Sequence, residues 1–317
     1  MQLLKVSSWL IKLVKGWFFF LFVWTIYFAL RKRSFHIRLK ASYALAFIAY
    51  RLWKGGRRRI RKNISLIRPD LTEKEVAQAS WQAVKTIARS WAAMLGNEFT
   101  GLGEIKKRVK TEGLEQLVDY YLARKKVIAT AVHIGPIDEM LGIIPFFGLR
   151  VYVPAEPVKP KWFFNLMMRL RLRFEGIILE PVKKGETLIQ AAHHLSEGRI
   201  VLFVLDLPRE GGSGVICRIG NAKARFPVGA IKLALEQDAT IFPVFPSLEK
   251  GEKAKIVIGP PFEIVRTGDK SYDIEMNTRR LIEGVYAPHI RENYHSWLRL
   301  LWENLEPVSF DLRKHQI

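Results

Sequence analysis

Val127 to Val132 is an apolar run of strand length, and His133 follows it directly. Asp138 stands five residues on, in His133-Ile134-Gly135-Pro136-Ile137-Asp138. A hydroxyl with a pKa far above 7 is a poor nucleophile until a base takes its proton. Histidine, whose ordinary pKa lies near neutrality, suits that work. A carboxylate on the second ring nitrogen fixes the tautomer and stabilises the imidazolium. Gly135 and Pro136 permit a tight turn before a helix, and the spacing predicts that this turn folds Asp138 back towards the imidazole. Glu139 is a neighbouring alternative partner. An H-x4-D spacing alone also fits a buried histidine satisfied by a backbone carbonyl.

No serine or cysteine nucleophile accompanies His133. The G-x-S-x-G pattern is absent and Cys217 lies far along the chain. The expected chemistry is therefore base activation of an external acceptor, with direct transfer of the acyl group. The N-terminus of the following helix is placed to help a developing oxyanion. No metal or cofactor is expected. His193 and His194 are adjacent on a predicted helix and point apart, and no zinc pattern occurs. The glycines between Pro208 and Gly214 lack the P-loop lysine.

The elements that must position these residues read as an alternation of helices and short strands. Thr72 with Glu75 predicts a capping box and a helix running through Trp91. Residues 113–124 suggest a short helix. Strands are predicted at 127–132, 150–153, 176–179, 200–205, 240–245 and 255–258. Helices are predicted from Ile137 to Pro145 and over 161–173, 186–196 and 228–236, with 271–305 mostly helical. This alternation argues α/β, a sheet covered on both faces. In open sheets of that kind, sites lie at the carboxyl ends of strands.

Charge divides the chain. The net charge is +21, yet residues 1–69 contain 16 Lys and Arg and no Asp or Glu. Residues 16–30 form an aromatic apolar run that as a helix spans roughly 22 Å, short of the roughly 30 Å hydrocarbon core. Extension back to Val6 brings in Lys12 and Lys15, which can snorkel. A cleaved signal peptide is disfavoured, because no small-residue cleavage site follows. A second apolar run, Ala41 to Trp53, reads as an in-plane amphipathic helix, half of a hairpin, or a core helix. Basic residues interleaved with apolar runs suit an anionic membrane surface better than nucleic acid. Residues 1–69 are thus expected to anchor the chain to a membrane, spanning or lying in plane, and 70–317 to form the α/β domain. The single cysteine allows no internal disulfide.

Further segments lie in a collinear order around His133 and Asp138. They are Arg61-Lys62-Asn63-Ile64-Ser65-Leu66, Arg173-Phe174-Glu175-Gly176 and Gly198 to Asp206. Gly220 to Gly229, Ala239 to Pro246 and Tyr294-His295-Ser296-Trp297 follow. Together they resemble the lysophospholipid acyltransferase superfamily, in its lipid A biosynthesis (lauroyl/myristoyl) branch. That branch includes the bacterial phosphatidylinositol mannoside acyltransferases.

The resemblance implies a mixed, mostly parallel sheet of the glycerol-phosphate-acyltransferase kind. It implies acyl transfer from an acyl carrier protein or coenzyme A thioester to a lipid hydroxyl, at the cytoplasmic face of the bacterial inner membrane. By it His133 is the base and Asp138 its partner. Arg173, with Arg169 and Arg171 as near alternatives, would bind phosphate or steady the oxyanion. Asp206 would be an acceptor contact or a support behind the site, and Arg225 a further substrate contact. Three departures leave the acceptor open. Tyr152-Val153-Pro154 stands where lipid A enzymes often carry Tyr-Arg-Pro, many of them use Glu at the position of Asp138, and Arg299 alone remains of a basic terminal pattern. A phosphatidylinositol mannoside or lysophospholipid acceptor is therefore a second expectation. A non-catalytic lipid-binding protein on the same fold is an expectation of another class.

Overall fold

Strand β2 (Val127–Ala131) is buried along its whole length and lies near the middle of the main sheet. The computed structural model describes residues 17, 19–171, 175–207, 214–249 and 253–308. β5 (Ile200–Val204) runs parallel to β2 on one side and β8 (Thr240–Leu248) parallel on the other. Beyond β5 lie β3 (Val151–Ala155) and β4 (Ile177–Pro181), and beyond β8 lie β9 (Ala254–Ile258) and β1 (Val109–Glu112). Among the described residues of this sheet, only the β8–β9 pair is antiparallel. The expected α/β architecture with a mixed, mostly parallel sheet is what forms.

Strand residues alternate between two cores, as a period of two requires. Ile128, Val201 and Ile241 join one cluster, while Ala129, Leu202 and Phe242 join the other. α7 (Ile137–Ile143) and α8 (Lys161–Arg171) supply Met140 and Phe164 to the second. α9 (Thr187–Ser196) and α10 (Gly229–Gln237) supply Leu195 and Ala234 to the first. With both faces covered, the exposed working edge is the row of strand carboxyl ends.

The N-terminal part contributes residues 19–30 (α1), α2 (Phe35–Leu52) and α3 (Lys54–Ile67). Thr72 caps α4 (Glu73–Met94) through the expected capping box with Glu75. α2 packs on α4. The Tyr50 hydroxyl lies 3.0 Å from Ser80 Oγ, and buried Arg38 donates to the Ala92 carbonyl at 2.8 Å. Its other face leaves Leu45, Ile48 and Leu52 exposed. The 41–53 run is therefore both core-packed and open on one side. α3 sends Ile60, Ile64 and Ile67 into the main core. Among the described residues no helix is long and apolar enough to cross a membrane. The backward extension to Val6 lies outside the described residues.

Two differences from the sequence reading concern the second half. Residues 214–227, to which the sequence reading assigned no element, form an antiparallel hairpin, β6 (Gly214–Ile219) and β7 (Ala222–Pro227). Its signal was Gly220-Asn221, a two-residue turn with Gly220 at φ +62°. A side chain at Gly220 would meet the Ile67 carbonyl at 2.4 Å. The 271–305 stretch is helical only in part. α11 (Lys270–Arg279) passes through one widened turn, Arg280–Tyr286, into α12 (Ala287–Glu292). Residues 294–301 are then short 3-10 turns, and β10 (Glu306–Pro307) pairs with β7. The helix stops because this backbone bonds elsewhere: Leu298 N–H donates to the His133 carbonyl (2.8 Å), and Ser296 O accepts from Gly135 N–H (3.1 Å).

Candidate active site

Parallel pairing of β2 with β5 sets the site. Ala131 is the register partner of Val204. Two residues past that pair, at the carboxyl ends of both strands, stand His133 and Asp206. Asp206 Oδ1 lies 2.7 Å from His133 Nδ1, and Oδ2 accepts the His133 backbone N–H at 2.9 Å. Trp297 donates its indole N–H to the same Oδ2 at 2.7 Å. The carboxylate is fully buried and receives three donors. Burial alone would raise the Asp206 carboxyl. The charge of His133, its two hydrogen bonds and the field of Arg299 outweigh burial and hold it below the ordinary aspartate value.

The tautomer follows. An ionised carboxylate only accepts, so His133 Nδ1 carries a proton, and in the neutral ring Nε2 is the nitrogen that presents the lone pair. Nε2 has no hydrogen-bond partner among the described residues, and the side chain is 18% exposed. A neutral imidazole with one nitrogen fixed and the other open is the form a general base needs.

The expected partner of His133 is corrected here. Asp138 makes no hydrogen bond to the imidazole among the described residues. It sits in the first turn of α7 and accepts from Arg171 Nε at 2.6 Å. The turn through Gly135 (φ +60°) instead packs against Ser247, whose Cα a side chain there would meet at 3.3 Å. Asp206, expected as an acceptor contact or a support behind the site, is the residue on the ring. Glu139 is a partner of neither: it is buried against Arg89, with Arg108 Nη1 at 3.7 Å.

Of the expected arginines, Arg171 at the end of α8 is brought beside the H-x4-D turn. Arg169 points elsewhere, onto Glu98 (2.8 Å), which also takes the Tyr27 hydroxyl of α1. Arg173 lies outside the described residues. Arg225, on β7, donates to the Gly214 carbonyl (2.8 Å) and makes no contact with His133 among the described residues. The first turn of α7 holds two carboxylates, Asp138 paired with Arg171 and Glu139 with Arg89 and Arg108.

Sequence reasoning gave no role to the C-terminal segment that completes the site. Ile134 and Trp297 form an antiparallel bridge, and the Trp302 ring meets the His133 ring edge to face at 6.3 Å. The Tyr294 to Trp297 motif was the available signal. Among the described residues no group of three or more His, Cys, Asp or Glu is placed to hold a metal ion.

The sequence model of a family described as bacterial lipid A biosynthesis acyltransferase matches residues 5–303 of the chain. No curated protein matches it.

Proposed function

The chain belongs to the bacterial lipid A biosynthesis acyltransferases and is an O-acyltransferase, and we propose that it acylates a hydroxyl of a membrane glycolipid with His133 as general base. The carrying observation is the His133–Asp206 pair, with Nε2 open beside a turn that Arg171 flanks. The donor in this reading is the thioester of an acyl carrier protein or coenzyme A. The acceptor hydroxyl gives its proton to Nε2 as its oxygen attacks the thioester carbonyl. The tetrahedral intermediate then expels sulfur, which leaves with the proton from the imidazolium. An ester forms as the C–S bond breaks. Arg171, held by Asp138, is the cation available to the oxyanion or to a phosphate of the acceptor.

The exposed apolar side chains of α1 and α2, among them Phe22, Phe28, Ile48 and Leu52, support an in-plane membrane anchor. Interleaved Arg and Lys suit anionic headgroups on the cytoplasmic side of the inner membrane, where the thioester donors are made. The test is purified His133→Ala enzyme, with melting temperature and liposome binding as folding controls. It is expected to bind liposomes and transfer no acyl chain. A His133→Ala enzyme that turns over normally overturns the reading.

A further inference from the structure

We propose that Trp302 is a stacking platform for a carbohydrate ring of the acceptor, and that Asn63 holds it beside His133. The inference rests on the glycolipid-acceptor reading above. Trp302 is 46% exposed, while Trp297, Leu300 and Leu305 of the same segment are buried. Exposed indole surface is unfavourable by about 25 cal/mol per Å², and Trp302 belongs to none of the buried clusters. Its ring stands at 84° to the His133 ring, 6.3 Å between centroids. Trp302 Nε1 has no hydrogen-bond partner among the described residues.

The backbone under this ring is fastened on both sides to α3. Fully buried Asn63 donates to the Leu300 carbonyl (3.0 Å) and the Glu303 carbonyl (2.7 Å), and its amide oxygen accepts from Leu305 N–H (3.0 Å). Arg59 donates to the Leu301 carbonyl at 2.9 Å. One buried side chain thus makes three hydrogen bonds to the residues flanking Trp302. An open aromatic face held on a pinned turn, in ring contact with the catalytic base, is built for a ligand.

The identity of the ligand follows from the base. Nε2 must meet the acceptor hydroxyl, so whatever covers Trp302 lies within about one ring of that hydroxyl. A sugar ring turns a face of C–H groups to the indole, and its hydroxyls stay at the polar edge, one of them able to meet the indole N–H. α3 also carries exposed Arg58, Arg61 and Lys62, which suit a phosphorylated headgroup.

The test uses the full chain with an acyl coenzyme A donor and two acceptors, a phosphorylated amino-sugar glycolipid and a lysophosphatidylglycerol. Trp302→Ala is expected to raise KM for the glycolipid about tenfold, with kcat and the donor KM little changed. Trp302→Phe is expected to recover most of the loss, and the KM for lysophosphatidylglycerol, which has no sugar ring to stack, to rise less than that for the glycolipid. Quenching of tryptophan fluorescence by the glycolipid is expected in the parent and reduced in Trp302→Phe. A rise confined to the donor KM, or an unchanged glycolipid KM, overturns the inference. Failure of the parent reading is distinct: it shows as a His133→Ala enzyme that remains active on both acceptors.

Discussion

Trp297 and His133 meet on one atom: Asp206 Oδ2 accepts the indole N–H at 2.7 Å and the backbone N–H of His133 at 2.9 Å. The other oxygen faces the imidazole. The C-terminal segment therefore orients the carboxylate that holds the His133 ring. Trp297→Phe removes one donor and keeps most of the ring volume. A hydrogen bond to a charged group contributes about 1.5–3 kcal/mol, so kcat is expected to fall about 10- to 100-fold with KM values little changed. Steady-state kinetics on folded protein checks this.

Asp206→Asn cannot accept Nδ1–H in the same charged way and permits the wrong tautomer. By analogy with the serine-protease triad, a loss of about 10⁴ in kcat is expected. Stability carries its own signature. The native carboxyl lies below its ordinary value of 3.8. Its contribution is therefore full above the unfolded value and is lost as pH falls through the lower native one. The melting-temperature gap between parent and Asp206→Asn should be constant from neutrality down to the ordinary aspartate range and narrow below it. A gap that widens on acidification contradicts the assignment.

Asp138 and Arg171 form a part-buried ion pair. Removing one partner leaves the other charge shielded from water, so Asp138→Asn and Arg171→Gln should each melt below the parent, by more than the ~0–1 kcal/mol of an exposed pair. A second expected effect is on transfer. Each single variant should lower kcat/KM, and the double variant should be little worse than the worse single. Independent, multiplying losses would mean that the two residues do not act as a unit.

Ile48 and Leu52 project from α2 on its open face, Leu52 at 78% exposure. Ile48→Ser with Leu52→Ser should weaken flotation with anionic liposomes about 10²- to 10⁴-fold, from lost apolar burial of about 1.5–3 kcal/mol per side chain. Activity on a detergent-solubilised acceptor should be near normal. Undiminished flotation would place the membrane contact elsewhere.

Short-range features were legible without coordinates. The capping box at Thr72 and Glu75, the buried run of β2 and the placement of His133 at its end each depend on a few consecutive residues. Side-chain period and local hydrogen bonding determine such things. The Gly220-Asn221 hairpin was equally local and was overlooked.

The partner of His133 was of another kind. Spacing along the chain favoured Asp138, five residues away, because a tight turn is the only route between residues that a linear sequence displays. Only the tertiary structure supplied the competitor, since the β2–β5 register brings Asp206 opposite His133 across 73 positions. The carboxylate behind His133 was thus decided by strand pairing, and so was the release of Asp138 to Arg171. Trp297, Trp302 and Asn63 joined the site for the same reason. The hydrogen bonds that place them close loops of 91 and of about 240 residues, and no local rule of helix, strand or turn contains them.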